Sequence, residues 1–292
     1  MCSSDLGKML KKLEGWTEKV EASPELVEFY RRLLRIQSIA ERRVRIPRLD
    51  LNSEAINDRL DQGLPLIRFD ELDLDWSLLQ ATFVEVTSAF AKHPKLFGPV
   101  PKSLVETGGH HHYLKEAVRA WYEMTRLPTA VVPDGVDECL LEDIIQATLK
   151  PFLVGYSKAL LSSVNQERWR RGYCPICGGS PDFAFLDKEY GARWLLCSRC
   201  DTEWLFQRLE CPYCGNQNQN TLAYFTDDDR LYRLYVCEQC TQYLKAIDLR
   251  QAKEEVVVPA ERLFTLGIDA QARDYGYGSG TQMNGYKGTD NS

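Results

Sequence analysis

The sequence predicts an α+β chain of several domains, an all-helical N-terminal domain followed by two tandem four-cysteine ribbon modules. Three observations carry that reading. Eight of the ten cysteines fall in four Cys-x-x-Cys pairs between residues 174 and 240, strand formers crowd the intervals between those pairs, and the preceding residues repeat apolar positions every three or four. The expected division is a helical domain over 1–170, ribbon modules over 171–207 and 208–250, a linker with one short helix over 251–274 and a disordered tail over 275–292.

Residues 1–22 are polar and charged, with Cys2 at a frayed end. Ser23-Pro24-Glu25 opens the first clear helix, with Ser as N-cap and Pro at the first helical position; Leu26, Tyr30, Leu33 and Leu34 share a face. Arg31, Arg32, Arg35, Arg42, Arg43 and Arg45 read as a solvated basic face. Pro47 and Pro65 bracket a stretch without clear period, and Gly63-Leu64-Pro65-Leu66 reads as an apolar turn. Asp75 caps a second helix whose Trp76, Leu79, Phe83, Val86 and Phe90 form a core stripe ended by His93-Pro94. After a loop over Leu96 to Pro101, Gly108-Gly109-His110-His111-His112 leads into a helix through Leu114, Val118, Trp121 and Tyr122. Adjacent histidines point in different directions on a helix or strand, so the triplet reads as an exposed loop or helix start rather than a metal site. A helix over 136–149 turns Val136, Leu140, Ile144 and Ala147 inward and carries Cys139 as buried filler, and Pro151 starts another through Phe152, Tyr156, Leu160 and Val164.

The pairs Cys174/Cys177, Cys197/Cys200, Cys211/Cys214 and Cys237/Cys240 dominate the chain beyond residue 170. A Cys-x-x-Cys turn aims two sulfurs at one cation, and two facing turns build a tetrahedral four-thiolate site, so four turns imply two ions. The first and third pairs both read Cys-Pro-x-Cys-Gly, where Pro sets the turn and Gly supplies a positive φ. The second and fourth instead follow the apolar runs Trp194-Leu195-Leu196 and Leu234-Tyr235-Val236, which places them at strand ends. The segment is therefore a duplication. Nineteen residues separate Cys177 from Cys197 and twenty-two separate Cys214 from Cys237, close to two-knuckle ribbon spacing. We pair 174/177 with 197/200 and 211/214 with 237/240; spacing alone is also compatible with an interleaved arrangement. No histidine lies in the segment, so both sites are expected to be all-sulfur. Disulfides are disfavoured because a chain of this length can bury a core without them and no secretory apolar region opens it. A thioredoxin-type redox motif needs one such pair between a strand and a helix, not four ribbon-like copies.

Strands are expected around Phe183 to Leu186, Trp194 to Leu196, Thr202 to Phe206, Leu222 to Phe225, Leu231 to Val236 and Tyr243 to Ile247. Asp227-Asp228-Asp229 marks a hairpin tip, lacking the alternating ligands of a calcium loop, and Pro259 starts a last short helix with Leu263 and Leu266. The composition, 44% hydrophobic and 27% charged, is that of a globular protein, and no apolar run is long enough to span a membrane, so the expected location is cytoplasmic. Net charge is -6, and residues 171–250 hold nine Arg or Lys against eleven Asp or Glu. Two cations, each in a four-thiolate cage, make that segment more negative still, which disfavours nucleic acid as a partner.

Four stretches carry a resemblance: Cys-Pro-Ile-Cys-Gly-Gly-Ser-Pro (174–181), Trp-Leu-Leu-Cys-Ser-Arg-Cys-Asp-Thr-Glu-Trp (194–204), Arg-Leu-Glu-Cys-Pro-Tyr-Cys-Gly (208–215) and Cys-Glu-Gln-Cys-Thr-Gln-Tyr-Leu-Lys-Ala-Ile-Asp (237–248). In order and spacing they resemble the formate dehydrogenase accessory protein family known as FdhE, firmly over 171–250 and more loosely in the helical half, where Gly-x-Pro-Leu at 63–66 agrees. The resemblance implies two rubredoxin-like modules after a helical domain, iron binding, and a cytoplasmic non-enzyme that associates with the catalytic subunit of a molybdenum- or tungsten-dependent formate dehydrogenase to bring it to an active form. All eight positions matching the family's ligands are Cys here, and tetrahedral sulfur suits iron and zinc alike. Two other classes compete with this expectation: a free-standing rubredoxin-like electron carrier and a zinc-ribbon nucleic-acid adaptor. The motifs set neither an oligomeric state nor a docking face.

Overall fold

A computed structural model of the chain describes residues 7–13, 23–45, 52–107, 111–133 and 135–281. The chain forms two compact units, one of Met1–Asn52 with Ile67–Ser162, the other of Ser53–Leu66 with Ser163–Ser292. Helices build the first; a sheet carrying the cysteine turns builds the second.

In the helical unit, Pro24–Arg43 begins where the sequence places it. The Leu26 N–H donates to Ser23 Oγ at 3.2 Å, and Pro24 occupies the first turn. Its buried stripe runs through Val27, Phe29, Leu33, Leu34, Ile36, Gln37 and Ala40, so Phe29 rather than Tyr30 faces the core. Helix Trp76–Ala91 is capped by Asp75, whose Oδ1 accepts the Leu78 N–H at 2.9 Å, and buries Leu79, Phe83, Val86 and Phe90. These two helices and Glu138–Leu160 pack on one another, and His111–Tyr122 packs on the last. The rings of Phe29, Phe90 and Phe97 meet with centroids 4.4–4.9 Å apart.

Two expectations are corrected here. The sequence suggests a break at Pro151, yet Glu138–Leu160 is one helix with Pro151 inside it. Proline lacks the N–H that would bond the carbonyl four residues earlier. That carbonyl belongs to Ala147, and the buried Gln37 side chain supplies the missing donor, Nε2 to Ala147 O at 2.9 Å. Cys139, expected to be buried filler, is exposed. Partial desolvation and the charges of Asp137, Glu142, Asp143 and Glu138 push its thiol up, the opposite of an activated nucleophile. His112 is exposed beside Glu116, as expected of a helix start, and His110 lies outside the described residues.

The second unit contains one sheet. Its strands are β1 (Pro181–Leu186), β2 (Arg193–Cys197), β3 (Glu203–Phe206), β4 (Leu222–Thr226), β5 (Tyr232–Cys237), β6 (Gln242–Asp248) and β7 (Gly278–Ser279), and six of them lie in the order β3-β2-β1-β6-β5-β4. Each repeat contributes an antiparallel three-stranded ribbon. The ribbons join where β1 runs parallel to β6, Phe183 facing Lys245 and Phe185 facing Ile247. What the sequence divides at 207/208 is thus continuous in hydrogen bonding. Phe183, Phe185, Leu196, Ile247 and Val258 form a core on this sheet.

Three further boundaries differ from expectation. The stretch after 250 holds two helices, Val258–Phe264 and Leu266–Asp274, docked on the sheet through Tyr232 OH to Glu261 (2.7 Å) and Tyr243 OH to Asp269 (2.9 Å). The tail expected to be disordered from 275 adds β7 parallel to β6, and Gly280 lies so close to the Tyr213 ring that there is no room for a Cβ; residues 282–292 lie outside the described ones. Helix Ser53–Gln62 and the 63–66 turn, expected in the helical domain, group with the sheet. Among the described residues no helix is long and apolar enough to cross a membrane.

Candidate metal centres

All four cysteine turns share one geometry. The backbone N–H of the residue after the second cysteine donates to the carbonyl of the first: Gly178 to Cys174 (3.0 Å), Asp201 to Cys197 (3.3 Å), Gly215 to Cys211 (2.9 Å) and Thr241 to Cys237 (2.8 Å). That residue is left-handed in every case, with φ of 72° and 71° at Gly178 and Gly215 and 55° and 54° at Asp201 and Thr241. Glycine adopts this at no steric cost and Asp tolerates it, whereas the β-branched Thr241 does so against preference, a strain the surrounding structure has to hold. Cys197 and Cys237 are the last residues of β2 and β5, as the apolar runs before them predict.

The turns close in sequential pairs. Cys174, Cys177, Cys197 and Cys200 form one group and Cys211, Cys214, Cys237 and Cys240 the other, with all ligand atoms of a group within 4.8 Å of one another. Three sulfur–sulfur contacts in the first measure 3.4–3.5 Å and two in the second 3.7 Å. A tetrahedral ion bound to sulfur at about 2.3 Å sets edges of about 3.8 Å, so both groups fit one such ion each; a disulfide needs about 2.05 Å. The donor chemistry agrees. Burial drives the Cys174 and Cys200 thiols well up, while at Cys197 hydrogen bonds from the other three sulfurs outweigh burial and hold it well down. A buried quartet that concentrates negative charge on one sulfur offers a donor set that a cation could neutralise.

The two groups differ in their surroundings. In the first, all four cysteines are buried. Thr202 Oγ1 lies 3.0 Å from Cys200 Sγ, and Trp204 is buried with its Nε1 donating to Arg171 O at 2.8 Å. Arg262, from the Val258–Phe264 helix, reaches over this group. Its guanidinium pairs with Asp182 (2.8 Å) and with Asp201 and donates to Cys197 O at 2.6 Å, which pins the left-handed Asp201 turn. Those two carboxylates outweigh the desolvation of Arg262 and hold its pKa up. From the other side, Leu66 N–H donates to Pro175 O and Tyr173 OH to Gly63 O, both at 2.8 Å, so the Gly-Leu-Pro-Leu turn braces the first cysteine turn.

In the second group Cys214 is exposed and Cys240 half-buried. Asn216 organises the loop: its amide donates to Thr221 Oγ1 (2.8 Å) and to Cys237 Sγ (3.5 Å). Burial raises Cys237, but Asn216 and the N–H groups of Cys240 and Gln239 outweigh it and bring the thiol to about 7; burial takes Cys211 to about 11. Beneath the turns, buried Arg193 donates to the carbonyls of Gln207 and Glu210 and lies over the Phe206 and Tyr235 rings, tying the linker between the repeats to both.

All eight cysteines singled out in the sequence therefore come together. Arg262, Asp182, Asn216 and the Gly63–Leu66 brace do not emerge as functional from the residues. Asn216 has a local signal, a side chain able to close an Asx turn directly after Cys-Gly, and 63–66 has one only through the family resemblance. The family motifs do contain others whose purpose is now visible. Lys245 bonds Asp269 (2.7 Å) and caps the Arg262 and Thr265 carbonyls, and Asp248 holds Arg233 and Arg250 at 2.7 Å each.

Comparison with known proteins agrees with this picture. Residues 173–208 match the family model described as FdhE, central domain. Protein FdhE homolog of Aquifex aeolicus is 29% identical over 273 residues, 92% of this chain and 90% of that protein. Protein FdhE of Escherichia coli O127:H6 is 34% identical over 111 residues, 37% of this chain and 35% of that protein. Among solved structures, the crystal structure of the FdhE protein from Pseudomonas aeruginosa covers 95% of this chain and 93% of its own at a TM-score of 0.58 and 21% identity, a likeness of fold.

Proposed function

The chain belongs to the FdhE family, and from that premise we propose that it is a cytoplasmic accessory protein, not an enzyme, that binds the catalytic subunit of formate dehydrogenase and is needed for that enzyme's active form. The observation that carries this reading is the pair of all-sulfur groups: each offers four protein donors to one ion and leaves no coordination position for a substrate. The ligands are Cys174, Cys177, Cys197 and Cys200 for one ion and Cys211, Cys214, Cys237 and Cys240 for the other, the ions being iron or zinc. Iron in such a cage changes oxidation state with little ligand movement; zinc holds the fold alone.

Pulled from an anaerobic lysate, the protein should bring down the dehydrogenase catalytic subunit. Deleting its gene should lower formate oxidation while that subunit is still synthesised, and unchanged formate oxidation would dispose of the proposal. The exposure of Cys214 favours a second reading, a rubredoxin-like electron carrier, since an ion there lies near the surface. It requires a ferric–thiolate absorption band and a reversible couple in anaerobically purified protein; a colourless, zinc-loaded protein excludes it.

A further inference from the structure

The two edges of the sheet are treated differently. At β3, Trp204 and Phe206 are buried and the outward Leu205 N–H is taken by Gln166 Oε1 at 3.1 Å. At β4 nothing comparable occurs. Ala223, Tyr224, Phe225 and Thr226 are all exposed, with Tyr224 and Phe225 each 53% accessible on opposite faces. The pairing of β4 with β5 is regular, and β4 has none of the lysines, prolines or bulges that normally blunt an edge. The hairpin closes through Asp227 with Tyr232, and Glu238 N–H donates to Thr221 O. Alternation along an antiparallel ladder then turns the backbone groups of Leu222, Tyr224 and Thr226 away from the sheet.

The duplication shows what such an edge accepts. β1 and β4 are equivalent strands: Phe185 faces Trp194 as Phe225 faces Leu234, and the Asp187 N–H bonds Ala192 as the Asp227 N–H bonds Tyr232. The outer edge of β1 is filled by β6, running parallel, with Leu249 N–H on Leu186 O at 3.0 Å. Just beyond β6, the Arg250 guanidinium lies beside Gly191 in the β1–β2 turn. The equivalent edge of β4 has no strand on it among the described residues, and its turn carries exposed Asp227, Asp228 and Asp229.

We propose that β4 is the client-docking edge: an extended segment of the client protein adds to it as a parallel strand, with basic residues at the segment's C-terminal end beside Asp227–Asp229. The inference rests on the reading that this chain binds a protein client. Main-chain hydrogen bonds supply the affinity, and the Tyr224/Tyr235 and Phe225/Tyr275 ring pairs receive alternate side chains of the incoming strand. Because Leu222 faces Cys237, the edge is anchored at the second sulfur group.

The test uses the full chain. Thr226→Pro removes one outward N–H and crowds the edge while sparing the β4–β5 ladder; Asp228→Lys with Asp229→Lys reverses the exposed tip without touching the fold. Both should keep two metal equivalents and lower capture of the formate dehydrogenase catalytic subunit from an anaerobic lysate by about tenfold. Capture at the wild-type level by both variants overturns the docking edge and leaves the accessory role standing. Wild-type protein that captures no dehydrogenase removes the premise and the inference together. A wild-type dimer in solution that Thr226→Pro converts to monomer assigns the edge to a second copy and overturns the proposal.

Discussion

Around the first sulfur group every cysteine is buried, a guanidinium fixes one turn, and the Gly63–Leu66 segment fixes another; around the second, one sulfur faces solvent and a single asparagine organises the loop. The same turn, repeated four times, therefore yields one group integrated into the core and one at the surface. Ligand geometry sets what can bind, whereas the residues packed behind the ligands set how tightly the ion is kept and what loosens when it leaves. Integration suits a structural anchor and exposure suits exchange, contact or electron transfer.

That contrast is open to direct attack. Cys174→Ala should be the most damaging change, because metal binding and folding are one equilibrium worth on the order of 10 kcal/mol in such sites; loss of one metal equivalent with broad loss of sheet structure by circular dichroism is the expected result. Cys214→Ala should release one equivalent and leave the first repeat folded, as should Cys211→Ala or Cys237→Ala. Equal damage from Cys174→Ala and Cys214→Ala would erase the distinction, and full metal retention in either would show the ligand assignment to be wrong. Next in size, a chelator titration should withdraw the two ions in two phases, the first belonging to the exposed group and vanishing in Cys214→Ala; a single phase breaks the comparison.

Arg262→Met strips a half-buried pairing partner from Asp182 and Asp201, which are themselves partly exposed, so the loss should fall below the about 3–5 kcal/mol of a fully buried pair. Chemical denaturation should show the loss, and metal release should accelerate at the first group only. Asp248 gives a pH signature. Burial alone would raise its carboxyl, yet hydrogen bonds from Arg250 and Arg233 outweigh burial and hold it below the usual range. A lowered carboxylate stabilises the fold fully above its unfolded pKa of about 3.9 and loses that contribution as pH falls through the folded value. The stability gap between wild type and Asp248→Asn should accordingly stay flat from neutral pH down to about 5 and narrow only below about 4. Smallest, Gln37→Ala should cost about 1 kcal/mol by orphaning the Ala147 carbonyl, an effect that Pro151→Ala relieves. Being confined to the helical unit, it should leave both metal equivalents untouched and so serves as the reference for the rest.

Much of this architecture is legible in the residues themselves. The two cysteine groups, the strand positions, the Asp75 and Ser23 caps and the hairpin tip follow from local rules that act within a few residues, and the sequential pairing of turns is the simplest reading of their spacing. The features that escape such rules depend on distant partners. Nothing near Pro151 announces that Gln37 supplies its missing donor, nothing near Arg262 points to Asp182 and Asp201, and the joining of two ribbons through β1 and β6 is a long-range pairing that no periodicity encodes. The exposure of Cys139 is equally hidden, because a lone cysteine in a helix gives no sign of which face it occupies.

The strand-bearing half borrows residues 53–66 from well upstream of its own first cysteine. Cutting the gene at the start of the cysteine-rich stretch would therefore yield a fragment stripped of the carbonyl that Tyr173 seeks and the amide that Pro175 seeks. A self-standing version of this half has to carry residues 53–66 along with everything from residue 163 onward.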